Sequence, residues 1–257
     1  MQIKSLLAAI APVVLLVACA GNPQSPTVTK SLTAAKANTQ LGIEYLRSGD
    51  LERSRQRLER AISMAPDYAP AHDAIAILYE QVGDHAAAEK HYRKSLRLDK
   101  GNAATRNNYG QYLCKQGRYD EAESAFRQAA DNAYYRTPWV PLTNAGICLL
   151  GVPDNTRAEA YLRQALTRQP TYAPALLNMG KISFAAGDFL SARGYVERYQ
   201  QVVEHTPDSL WLAIQTEYAL KDHQAWGNYA LQLKQNFPDS EQYLLLQEWE
   251  NGRRAGN

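Results

Sequence analysis

The strings Tyr68-Ala69-Pro70-Ala71 and Tyr172-Ala173-Pro174-Ala175 are identical and stand 104 residues apart, three periods of 34 plus two. A period of this length constrains the fold more than any other feature, because it makes the chain a stack of short supersecondary units. With the frame set on Gly42, the first unit carries Leu41, Gly42, Tyr45, Gly49-Asp50, Leu58, Ala61 and Pro66. The second carries Ile75, Ala76, Tyr79, Gly83-Asp84, Ala88 and Tyr92, and the third Tyr109, Gly110, Gly117, Ala122, Phe126 and Ala129. Two extra residues near Thr137-Pro138 shift the frame, after which Gly146, Gly180 and Gly187-Asp188 resume it and a degenerate sixth unit keeps Asp222, Leu233 and Pro238. The units are 35–68, 69–102, 103–136, 139–172, 173–206 and 207–240.

This pattern resembles the tetratricopeptide repeat (TPR), a helix, a short turn and an antiparallel helix. Small residues such as Gly42, Gly110 and Gly146 let helix axes approach, Gly-Asp pairs end one helix and cap the next, and Pro66, Pro170 and Pro238 stop the second helix. No unit buries its apolar face alone, so stacking supplies the core and the ends need caps. Residues 241–257 read as a capping helix, with Tyr243, Leu246 and Trp249 at helical spacing after an N-cap, and a frayed Gly-Arg-Arg tail. The expected fold is an all-α, right-handed superhelical solenoid of six TPR units.

The composition agrees with a globular chain. Of 257 residues, 45% are apolar and 21% charged, which excludes a wholly disordered chain. A net charge of +2 gives no basic footprint for nucleic acid.

The first residues carry an address. Lys4 precedes an apolar stretch, Leu6 to Ala18, that is interrupted by Pro12 and too short to span a bilayer. Residues 1–18 therefore read as a secretory signal peptide. The signal ends Leu16-Val17-Ala18-Cys19. That string resembles the bacterial lipobox, which implies acylation of Cys19, cleavage before it and, with Ala20 rather than Asp next, sorting to the outer membrane. Residues 19–34, rich in Pro, Ser, Thr and Gly, are expected to form a flexible lipidated linker.

Cys114 and Cys148 fall on first helices of adjacent units, at repeat positions twelve and ten. Two positions are about 200° on a helix, so one thiol faces forward and the other backward, within disulfide reach across stacked axes. An oxidising periplasm favours the bridge. Two buried reduced thiols are the alternative use of the same residues.

Catalytic motifs are missing. There is no Walker A loop, H-E-x-x-H, G-x-S-x-G or paired-Cys zinc spacing. The five histidines do not cluster in sequence, and His91 is expected on a solvated helix face. The reading is a non-enzyme with no cofactor or metal, and no nucleic-acid or small-molecule substrate. TPR solenoids instead bind protein segments on a concave face. Likeness to the repeat family assigns that face to first-helix positions two, five, nine, twelve and thirteen. The partner groove expected in units one and two comprises Ile43, Leu46, Arg47, Asp73, Ile77 and Glu80, with Ile43, Leu46 and Ile77 as apolar contacts; packing against a neighbouring helix is the alternative for these three.

The lipobox at Cys19, six TPR units, the segments Asn107-Asn108-Tyr109-Gly110-Gln111-Tyr112-Leu113-Cys114 and Asn144-Ala145-Gly146-Ile147-Cys148, and the cysteine pair together resemble the pilotin lipoproteins of type IV pilus systems, the PilF/PilW family. The resemblance implies an outer-membrane lipoprotein that binds the pilus secretin subunit and promotes its localisation and multimerisation, for pilus assembly and twitching motility. Scaffolding of peptidoglycan hydrolases and outer-membrane barrel assembly are the other roles open to such a TPR lipoprotein.

Overall fold

The computed structural model describes residues 26–255 except 154. These form thirteen α-helices, the first twelve in six hairpins. The hairpins are α1 Pro26–Arg47 with α2 Leu51–Met64, α3 Ala69–Gln81 with α4 His85–Leu98, and α5 Ala103–Lys115 with α6 Tyr119–Ala130. They continue as α7 Trp139–Leu149 with α8 Thr156–Arg168, α9 Ala173–Ala185 with α10 Phe189–Gln200, and α11 Pro207–Ala219 with α12 His223–Asn236; α13 Glu241–Ala255 closes the stack. The chain is an all-α TPR solenoid.

Five of the six hairpins turn for a local reason, unit four having neither a positive-φ residue among those described nor a side-chain cap. Gly49, Gly83, Gly117 and Gly187 have φ of 72–79°, which a side chain disfavours. The following Asp50, Asp84 and Asp188 then accept a hydrogen bond from the backbone N–H three residues on, at 3.0–3.1 Å. Unit six departs, with Lys221 taking the left-handed conformation at φ 61° before the capping Asp222. Within a hairpin the helices nearly touch. A Cβ on Gly146 would stand 2.6 Å from Leu162 Cγ and 3.0 Å from the Ala158 carbonyl, so only glycine permits this approach.

The core is a chain of clusters, one per joint. Leu46, Leu58, Ala74, Ile75 and Leu78 join units one and two. Tyr92, Tyr112, Leu113, Phe126 and Cys148 carry the core through units two to four, and Leu149, Leu162, Leu176 and Met179 through four and five.

Three features differ from the sequence expectations. The linker read over 19–34 is helical from Pro26, with Ala35 buried against Ala61 and Ala71 and the Ser31 hydroxyl donating to the Met64 carbonyl. Pro26 starts the helix because φ is preset and no N–H is required there. The tail read as frayed remains helical to Ala255, and Ser240 caps α13 by accepting from Tyr243 N at 3.2 Å. His91 is half-buried, not solvated: its Nδ1 lies 2.9 Å from His72 Nδ1 and its ring stacks on Tyr79. Burial first, then the His72 charge, pushes His91 down to about 4.

α13 repeats the placement of α11. Gln242 donates to Asp208, 34 residues earlier, at 2.6 Å, and Trp249 packs edge-on against Tyr218 at 4.6 Å and Trp211 at 6.3 Å. It therefore occupies the place of the first helix of a seventh unit, with no second helix after it among the described residues.

Candidate functional site: the concave face

The first helices line one face of the solenoid, and repeat position decides what each residue does. Position five is buried in three units: Thr39, Asn107 and Thr143 are each less than a tenth exposed. Position twelve points forward into the next joint, as Leu46 and Cys114 show. The open positions are two, nine and thirteen. Position nine carries Ile43, Ile77, Gln111, Ile147, Lys181 and Gln215, an isoleucine track broken once before the joint of units three and four. Ile43 and Ile77 are half-buried and Ile147 is 40% exposed. Arg47, Gln81 and Lys115 at position thirteen form a polar margin.

Beneath this track the units are tied by polar rungs. Asn108 Nδ2 donates to Asp73 Oδ2 at 3.2 Å, and Asn144 Nδ2 donates to Asn107 Oδ1 at 2.8 Å. Both rungs link position five of one unit to position six of the next. Burial pushes the Asp73 carboxyl up to about 6, against the opposing effect of the Asn108 and Thr105 side chains. Glu80 accepts from Lys115 Nζ at 2.7 Å and from the Tyr92 hydroxyl at 3.0 Å, which spans units two and three. The Cys114 and Cys148 sulfurs are bonded, with Cα atoms 5.8 Å apart, across the joint where the two-residue insertion interrupts the register.

The C-terminal end is built differently. Phe184, Trp211, Tyr218, Leu245 and Trp249 surround a hollow of about 430 Å³, with Gln215 and Glu248 at its polar edge. Phe184 and Tyr218 occupy position twelve and Trp211 position five, where earlier units place Cys114, Leu46, Asn107 and Thr39. A second hollow of about 760 Å³ lies at the other end of the same helices, among Leu177, Asn178, Tyr199 and Asp208. Among the described residues no group of three or more His, Cys, Asp or Glu is placed to hold a metal ion, and no helix is long and apolar enough to cross a membrane.

TPR family models match residues 33–101, 67–134 and 149–209. The solved structure of PilW, a widely conserved type IV pilus biogenesis factor, shares 31% identity and superposes with a TM-score of 0.74, over 82% of this chain and 97% of that one. The chain belongs to the PilF/PilW family of TPR type IV pilus biogenesis proteins. The type IV pilus assembly protein PilF of Pseudomonas aeruginosa is 29% identical over 214 residues, covering 83% of this chain and 85% of that protein. Its solved structure also superposes with a TM-score of 0.74.

On this PilF/PilW solenoid the residues expected to line the groove separate into two sets. Arg47 is exposed on the open face, whereas Ile43 and Ile77 are half-buried, packing in part against the cluster of Leu46, Leu58 and Ile75 as the alternative reading has it and presenting only their remaining surface to that face. Leu46 does not reach it: it is 9% exposed and packs with Leu58, Ala74, Ile75 and Leu78, because position twelve faces the neighbouring unit. Asp73 and Glu80 are engaged in the rungs between units. Cys19 lies outside the described residues. Sequence reasoning missed Ile147 and the aromatic hollow. Extending the position-by-position reading of units one and two to units four, five and six finds Ile147, Phe184, Trp211 and Tyr218 directly.

Proposed function

We propose that this protein is a non-catalytic pilotin: a lipoprotein acylated on Cys19 and held at the outer membrane, its solenoid in the periplasm. There it binds the type IV pilus secretin subunit and promotes secretin localisation and multimerisation, and through them twitching motility. Membership of the PilF/PilW family carries this reading, and the isoleucine track supplies a surface suited to it. A secretin subunit awaiting assembly exposes apolar strands that aggregate before a closed barrel forms. Ile43, Ile77 and Ile147 offer such a segment apolar contacts, with Arg47 and Lys115 at the margin, and a lipid anchor concentrates the subunit at the membrane. No covalent chemistry and no cofactor beyond the lipid enter this role.

The test is affinity capture of the full-length protein from detergent-solubilised outer membranes, with partners identified by mass spectrometry. The expected result is secretin recovered by the native protein and lost with Ile43→Asp and Ile77→Asp. Ile147→Asp, at a more exposed position, gives the same loss with helical content unchanged. Recovery of murein hydrolases without secretin overturns the reading.

A further inference from the structure

In units two, four and five, polar side chains of the second helix reach back to the preceding unit at three repeat positions. At position nineteen Arg157 reaches back to Glu123 at 2.8 Å and Asp120 at 3.3 Å, and at position twenty-three the Tyr161 hydroxyl donates to Glu123 at 2.9 Å. At position twenty-six Lys94 pairs with Asp67 at 2.9 Å and Arg198 donates to the Pro170 carbonyl at 2.9 Å. Among the described residues no unit precedes the first, whose residues at these three positions are Arg53, Arg57 and Arg60. Arg57 and Arg60 have no ion-pair partner among the described residues, while Arg53 pairs with its own cap Asp50 and lies over the Tyr45 ring at 4.8 Å.

First-helix positions six, seven and ten face the same way, as Asn108, Tyr109 and Tyr112 do in unit three by bonding to Asp73, Glu89 and the His85 carbonyl. In unit one these are Gln40, Leu41 and Glu44, with Leu41 45% exposed. Lys30, eleven residues before Leu41, falls on the same face by helical period. Glu44 is turned to Arg47 at 3.1 Å. The open N-terminal end of the solenoid is thus a basic surface with an exposed leucine.

The opposite end has the opposite sign. Residues 26–64 hold seven Lys or Arg against four Asp or Glu, whereas residues 207–257 hold four against seven. We infer that the open face of unit one, through Lys30, Arg53, Arg57 and Arg60, docks on an anionic phospholipid surface, while the acidic far end is repelled from it. Guanidinium groups match phosphate in geometry, and cations close to an anionic bilayer add to its attraction one by one. Chain length agrees. Helix α1 starts at Pro26, so six residues separate it from Cys19, a reach of about 25 Å at most. That last argument rests on the lipidation proposed above, but the charge argument does not. Docking would fix which way the concave face points, which a lipid anchor alone does not.

The test uses the mature chain from residue 19 with Cys19→Ser, so that no acyl chain contributes. The chain is sedimented with vesicles of phosphatidylethanolamine and phosphatidylglycerol, or of phosphatidylcholine alone. Binding is expected to the anionic vesicles only, and to be lost at about 0.5 M salt. Joint reversal by Lys30→Glu, Arg57→Glu and Arg60→Glu lowers it at least about 10-fold. Lys221→Glu with Lys234→Glu leaves it unchanged, and circular dichroism confirms the fold of each variant. Equal binding to both vesicle types, or native binding by the triple variant, overturns the proposal. Self-association in sedimentation velocity that the same triple variant abolishes, without vesicle binding, assigns the face to a second copy and overturns it as well. Failure here leaves the secretin capture untouched, and failure of lipidation leaves this result untouched.

Discussion

Units two to four and units five to six share one backbone register, yet their first helices are held together by different chemistry. In the middle of the solenoid, position five supplies Asp73 and Asn107 to rungs between units, and position twelve supplies Cys114 to a covalent bond. Toward the C-terminus the same positions carry Leu177, Trp211, Phe184 and Tyr218, and α13 completes an aromatic cluster with Trp249. The repeat therefore fixes where a side chain points, and residue identity decides whether that direction is spent on stiffening the stack or on an accessible apolar hollow. Cross-links sit where the register slips; aromatic packing sits where the stack ends.

Removing the covalent tie tests the first half of this contrast and has the largest expected effect. Cys114→Ser with Cys148→Ser opens a 34-residue loop, and chain-entropy reasoning gives a loss of about 3–4 kcal/mol. Because repeat stacks lose cooperativity locally, amide exchange is the suitable measurement: protection is expected to fall in α5 and α7 and to stay near native in α11 and α12. Uniform loss along the chain would show that the joint is not a separate mechanical element. Trp249→Ala probes the other half. It removes an edge-on contact to Tyr218, Trp211 and Trp226 and should cost about 2 kcal/mol, with exchange accelerated in α11 to α13 only.

The pattern of what was legible in the sequence follows from the same contrast. Most helix boundaries could be read because they are set locally, by Gly at positive φ in units one, two, three and five and by an Asp cap in units one, two, five and six, while unit four, which has neither among the described residues, is placed by the period alone. The first nine residues of α1 could not, because Pro, Thr and Ser there signal a linker, and the contacts that hold the helix, Ser31 to Met64 and Ala35 to Ala61, come from 26–33 residues away. Repeat position alone puts Leu46 in the groove, but position twelve faces forward for Leu46 as it does for Cys114, and that direction leads into the joint with unit two. The aromatic hollow needed nothing beyond the sequence, only the same positions carried into the last units.

A smaller effect separates the rungs from ordinary polar contacts. Asp73 is held at about 6 by burial, above the usual value of 3.8, so the native state holds its proton more tightly than the unfolded chain does. The stability it contributes is present below about 4 and lost as pH rises to about 6; above that, the native state carries a buried charge. Asp73→Asn keeps an acceptor for Asn108 without the charge. It should raise stability by on the order of 2 kcal/mol at pH 7.5, with the gain shrinking toward zero near pH 4. Thermal melts across pH 4–8 measure this, and a gain independent of pH would mean the carboxylate is not the cause.

The smallest expected change concerns the turns that both regions share. Lys221 adopts φ 61° where Gly49, Gly83, Gly117 and Gly187 stand at 72–79° in other units. A side chain in this region costs about 1 kcal/mol, partly offset in a glycine variant by the greater freedom of its unfolded chain. Lys221→Gly should therefore stabilise the sixth hairpin by about 0.5 kcal/mol. The reciprocal Gly187→Ala should destabilise the fifth by about 1 kcal/mol, and since a Cβ there meets nothing within 4 Å, its effect is purely one of backbone conformation. Opposite shifts in melting temperature for this pair would confirm that the turns are set by φ. Shifts of the same sign would mean that Lys221 contributes through its side chain, and that the degenerate unit has replaced a backbone rule with a contact.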